Sequence, residues 1–189
     1  MSGFFVFLHL KKNIIMNRLK RYTEDEWHLI AGTPSLIGAA MAGAASSGMG
    51  TVKELMASVR SVFEGKQMYP DNDVIQAIVD KSKSSEQAKE SYTAYRDKTM
   101  QRIKDNKITN AVQVKELALG DLQQVIELLN KNEIESHIIE YKHWVLNIAQ
   151  TVAEAAKEGG FLGFGGTRVS EEETIFLKEL SQMLNVDVV

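Results

Sequence analysis

The chain contains no cysteine and only two prolines, Pro34 and Pro70, among its 189 residues. Without cysteine there is no disulfide framework, no thiolate zinc site and no thiol nucleophile, and a cytoplasmic setting is compatible with that absence. The scarcity of proline leaves long stretches free to run as helices. Strand-like alternation of apolar and polar residues is also missing, so no sheet is expected. An excess of charge of one sign is absent too: 22 basic residues face 25 acidic ones, a net charge of −3. That balance gives no global electrostatic reason to expect nucleic acid as a partner.

Long runs of large apolar residues are lacking as well. Residues Leu29 to Val52 carry no charge, which makes them the one transmembrane candidate by length. Gly32, Thr33, Pro34, Ser35, Ser46, Ser47, Gly48 and Gly50 dilute the stretch. A buried central helix is therefore expected instead of a span. Catalytic signatures are equally scarce. No Gly-x-Ser-x-Gly elbow is present, and nothing places a histidine and an acid around a serine, so no catalytic residue is assigned. His9, His28, His137 and His143 would serve acid–base chemistry only inside a pocket that sequence does not reveal.

What is present is helical periodicity. At 189 residues and 44% hydrophobic content, the chain suits one compact, all-α, multi-helix bundle over residues 24–189, preceded by an arm, residues 1–23. The arm holds Phe4, Phe5, Phe7 and Leu8, and Lys11, Lys12, Arg18, Lys20 and Arg21 precede its first acid, Glu24. This composition suits peripheral contact with an anionic membrane through residues 1–21. The arm has no basic region ahead of its apolar run and no small-residue cleavage site after it, so it does not read as a signal peptide.

The spacing predicts a first helix over about 24–46, bent near Pro34, and a second from the capping box Thr51-Val-Lys-Glu54, its face formed by Leu55, Met56, Val59, Val62 and Phe63. Gly65 and the Tyr69-Pro-Asp-Asn turn should end it. Val74, Ile75, Ile78 and Val79 mark a short third helix. From Lys81 to Asn106 the chain is densely charged, and Tyr92, Tyr95, Met100 and Ile103 form a narrow stripe on a surface helix. Val112, Leu117, Leu119, Leu122, Val125, Ile126 and Leu129 form the next face, interrupted near Gly120. A long helix over about 133–158 follows, carrying Ile134, Ile138, Tyr141, Val145, Ile148 and Val152. The box Ser170-Glu-Glu-Glu173 starts the last helix, which presents Phe176, Leu177, Leu180, Met183 and Leu184. Trp27 and Trp144 each precede a similarly spaced apolar helix, which fits two diverged helical-hairpin halves. Both tryptophans are expected to be largely buried.

Between the last two helices lies Gly159-Gly-Phe-Leu-Gly-Phe-Gly-Gly166. A phosphate cradle follows a strand, whereas this loop follows a helix, lacks the Gly-Lys-Ser/Thr ending and runs into three glutamates that repel anions. The glycines therefore turn a corner, and Phe161, Leu162 and Phe164 either tuck under the core or offer a docking surface to a protein partner. Glu140-Tyr-Lys-His143 has the Glu-x-x-His spacing used in di-iron bundles. With Glu171 and Glu173 it forms a candidate divalent-metal set for an alternative reading, a metal-binding helical-bundle enzyme. A second copy of the motif is lacking. The pairs Glu133/His137 and Glu24/His28 are read as solvated surface pairs. A third reading is a membrane-associated structural protein, on the strength of the arm.

Residues Ala149 to Val186, AQTVAEAAKEGGFLGFGGTRVSEEETIFLKELSQMLNV, resemble the repeating unit of the bacterial tellurite-resistance B family. That unit joins an Ala-rich helix, a Gly-containing acidic turn, a Val-Ser-x-x-Glu helix start and a Leu-rich helix, and Val169, Ser170 and Glu173 match it. The resemblance implies a soluble, all-helical accessory domain linked to stress response or membrane-associated complexes, without a demonstrated catalytic role, and the chain is accordingly expected to be a non-enzymatic accessory or interaction protein. Family members commonly carry Asp-Gly in the turn and have acidic metal-binding surfaces. Here the turn reads Lys157-Glu-Gly-Gly with aromatics, a departure that removes the expected metal-binding pattern.

Overall fold

The computed structural model describes residues 21–44, 51–79, 97–157 and 169–187. Among these residues there are helices and turns and no strand. Six helices are α1 (Glu24–Ala44), α2 (Thr51–Met68), α3 (Asp73–Ile78), α4 (Ala111–Asn132), α5 (Glu135–Lys157) and α6 (Glu171–Leu184). A further helical stretch occupies residues 97–105. The result is an all-α bundle organised around two helices: α1 packs against α2, α4, α5 and α6, and α5 packs against α1, α2, α3, α4 and α6.

Helix α1 suits the centre because its side chains are small. Gly32, Thr33, Gly38, Ala40 and Ala42 are buried along it with Ile30, Leu36, Ile37 and Met41. A Cβ on Gly38 would lie 1.9 Å from Ser58 Oγ and 3.4 Å from an Ile148 methyl, so this glycine sets how closely α2 and α5 approach α1. A capping box that the spacing did not single out starts the helix. Thr23 N donates to Glu26 Oε2 at 2.7 Å and Glu26 N donates to Thr23 Oγ1 at 3.2 Å, satisfying two amides that lack helical partners. The bond from the Thr23 amide, with a smaller contribution from the Thr23 hydroxyl, holds the Glu26 carboxyl below its ordinary range.

Pro34 lies inside α1. It has no amide to donate to the carbonyl four residues earlier, that of Ile30. The fully buried Tyr141 of α5 supplies the missing donor, its hydroxyl bonding Ile30 O at 2.8 Å. The proline gap is thereby turned into a tie between the two central helices.

Several sequence expectations are corrected. Helix α2 continues through Gly65 to Met68 and ends at the expected Tyr69-Pro turn; at Gly65 a Cβ would sit 2.4 Å from Trp144 Nε1. The residue marks a close approach and not a helix end. Helix α4 likewise runs unbroken through Gly120, where a Cβ would meet open space. Trp144 is fully buried, and Trp27 is largely enclosed as expected, packed against the core with its ring 6.3 Å from that of Tyr22 and tilted to it. Phe63, Val112, Ile134 and Met183, assigned to apolar faces, are exposed. Tyr22 is buried, so the body of the bundle begins before residue 24. The side chains of Leu55, Met56 and Val59, with Tyr92, Tyr95 and the loop residues Phe161, Leu162 and Phe164, lie outside the described set. No described helix is long and apolar enough to cross a membrane.

Candidate functional site

Polar side chains converge where the first two turns of α5 meet the start of α3 and the approach to α1. Asn72 caps α3, its Oδ1 accepting from Ile75 N at 3.0 Å. Its Nδ2 reaches across to α5 and donates to His137 O at 3.0 Å and to Glu140 Oε2 at 2.9 Å. Asn72 is fully buried, and three bonds use both donors and one acceptor site of this amide side chain as cap and brace. Beside it, burial raises the phenol of Tyr69, with the Glu140 carboxylate adding to the effect.

One turn earlier, Glu133 is almost fully enclosed. Tyr22 Oη donates to its Oε1 at 2.8 Å, and Arg21 Nη1 and His137 Nδ1 each lie 3.7 Å from its Oε2. Arg21 also donates to Asn132 O. Burial pushes the Tyr22 phenol far above its ordinary value, and its hydrogen bond to the Glu133 carboxylate reinforces the shift. Nδ1 of the buried His137 has no hydrogen-bond partner among the described residues. The Glu133/His137 pair is therefore enclosed and not solvated as its spacing suggested. By contrast His28, partner of Glu24 by spacing, faces Lys98 Nζ at 3.2 Å.

The four candidate metal ligands have separate assignments. Glu140 is bound by Asn72. Glu173 is buried in the capping box of α6, where its Oε2 accepts from Ser170 N at 2.7 Å while Ser170 Oγ accepts from Glu173 N at 3.2 Å. Its second oxygen, Oε1, is buried without a hydrogen-bond partner among the described residues. Glu171 is exposed on the same turn, and His143 is half-buried on α5. Among the described residues, no group of three or more His, Asp or Glu side chains is arranged to hold a metal ion.

The remaining feature is an outward apolar face. On α6, Phe176, Leu180 and Leu184 point into the core, whereas Ile175 and Met183 are 48% and 38% exposed. These two stand eight residues apart, about two turns, on one side of the helix with Glu179 between them. Lys115 of α4 bonds Glu179 Oε2 at 2.8 Å and stands 5.8 Å over the Phe176 ring. Val112, one turn before Lys115 on α4, is 61% exposed. The polar seam and this face both depend on partners distant in sequence, and the sequence reading missed Tyr22, Asn72, Lys115 and Glu179. The only local signal was Asn72-Asp73 ahead of an apolar run, a helix-start pattern. Comparisons of the chain with protein-family models, curated proteins and solved structures found no match.

Proposed function

We propose that the chain is a non-enzymatic helical interaction protein that offers the outer face of α6 and the adjoining first turn of α4 to a protein partner. The observation that carries this reading is the double-sided character of α6. One face is core, while Ile175 lies away from it and Met183 on its flank, both exposed, and Val112 of α4 is exposed as well. A helix needs only one apolar face to join a bundle, so a second apolar side is better explained by an encounter with another surface. Lys115 and Glu179 fix the two helices relative to each other and leave polar groups around the apolar side chains, the arrangement found at polar-rimmed interfaces. The resemblance of residues 149–186 to the tellurite-resistance B repeat supports an accessory role in stress response.

The test is site-specific photo-crosslinking in the native cell with a probe at Val112, compared with a control probe at the exposed Gln67. The Ile175→Lys, Met183→Lys double variant should leave folding within about 0.5 kcal/mol per site, as exposed substitutions do. It should also abolish crosslinks formed by the wild-type chain at position 112. Crosslinks that persist in the double variant, or that occur equally from position 67, would refute the assignment.

A further inference from the structure

The helical stretch 97–105 stands apart from the rest of the bundle in how it is held. Among the described residues, Thr99 is its one buried side chain, and no residue of 97–105 belongs to the core cluster formed by the described residues or to the partly buried side chains packed on it. Two cations one turn apart tie it down instead. Lys98 Nζ lies 2.5 Å from Asp25 Oδ1 and 3.2 Å from His28 Nδ1 on α1. Arg102 forms a two-pronged pair with Asp121 of α4, at 2.7 and 2.6 Å. The Asp121 carboxylate is 1% exposed.

The connection to α4 is built so that the two helices are independent. Lys107 takes a left-handed conformation (φ 52°), and the bonds Lys107 N to Lys104 O and Ile108 N to Ile103 O close the stretch there. Helix α4 has its own start, with Asn110 Oδ1 accepting from Gln113 N at 3.0 Å and Gln113 Oε1 accepting from Thr109 N at 2.8 Å. Moving one helix away from the other therefore breaks no helical hydrogen bond in either. We propose that residues 97–105 form a strap held across α1 and α4 by the two cations Lys98 and Arg102, which detaches from α4 when the Arg102–Asp121 pair is lost and so uncovers the residue-121 side chain. Water solvating the uncovered Asp121 offsets the loss of Arg102, whereas a core helix leaving the bundle would expose apolar surface with no such compensation.

The absence of cysteine from the chain permits a direct test by paired spin labels on the full-length protein. Met100→Cys and Gln124→Cys report the distance from strap to α4, and Gln124→Cys with Ile139→Cys serves as the reference pair on the body. In the otherwise wild-type chain the strap pair should give one short distance. Asp121→Asn removes the charge that holds Arg102, and the peak should lose intensity to a broad set of longer distances while the reference pair stays fixed. Lys98→Gln, which removes only the exposed pair with Asp25, should have a smaller effect. A strap distance that does not respond to Asp121→Asn would overturn the proposal, as would a reference pair that moves together with the strap.

Discussion

The bond from Tyr141 to the Ile30 carbonyl makes a sharp test of how this bundle tolerates a proline in its central helix. Replacing Tyr141 by Phe keeps the ring, including its edge-on contact with Trp144 at 5.7 Å between centroids. The change removes only the hydroxyl that donates to Ile30 O at 2.8 Å. Because Pro34 offers no amide to that carbonyl, the oxygen is left without this donor in the interior. The cost of such a buried orphan is about 1–3 kcal/mol. For a chain of this size each kcal/mol lowers the melting temperature by about 2–4 °C.

The decisive step is the second mutation. Pro34→Ala restores an amide directed at the same carbonyl, so Tyr141→Phe should cost about 1 kcal/mol less in the Pro34→Ala background. The change in volume at position 34 is common to both sides of the double-mutant cycle and cancels. Urea unfolding of the four proteins measures it. If Tyr141→Phe changes stability by less than about 0.5 kcal/mol, or costs the same in both backgrounds, the hydroxyl does not replace the missing amide.

Two further outcomes are expected. Gly65→Ala and Gly120→Ala, both inside helices, should move in opposite directions. At Gly120 the added methyl meets open space, and helix propensity alone should raise stability by up to about 1 kcal/mol. At Gly65 it would lie 2.4 Å from Trp144 Nε1, and overpacking should lower stability by about 1–3 kcal/mol; equal shifts in thermal unfolding would contradict the close approach. For acid pH, the hydrogen bond and charge of Lys98 hold the Asp25 carboxyl below its ordinary value. A depressed carboxyl contributes stability that is present above the unfolded-state value and is lost as pH falls through the folded-state value. Asp25→Asn should therefore flatten the acid limb of a stability–pH profile and leave its neutral-to-basic limb unchanged in shape. An acid limb identical to that of the wild type would remove this pair from the account.

The helices were legible because their signals are local. Periodic apolar residues and the Ser170–Glu173 box act within a few positions of chain, and α3, α5 and α6 begin and end close to where spacing puts them. Gly65 and Gly120 were misread for the same reason. A glycine in a helical pattern weakens the local preference, but at Gly65 the tryptophan of another helix needs the space that a side chain would fill. The candidate site was less legible still, because its pairs are long-range. Tyr22 and Glu133 stand 111 positions apart, Asn72 and Glu140 stand 68 apart, and Lys115 and Glu179 stand 64 apart.

Glu24/His28 and Glu133/His137 show why spacing alone does not determine what such pairs do. Both place a carboxylate and an imidazole one helical turn apart, yet the first belongs to the exposed start of α1 and the second is enclosed at the corner before α5. The difference comes from what packs over them. Lys98 meets the first near solvent, whereas Tyr22 and Arg21 close over the second and give the buried Glu133 a donor and a positive charge. A buried carboxylate so engaged is costly to strip of its partners. It therefore favours one placement of residues 21 and 22, against the corner between α4 and α5, over alternatives that bury similar apolar area. The apolar faces drive the bundle together, and the seam from Tyr22 through Glu133 to Asn72 discriminates among the ways its elements meet.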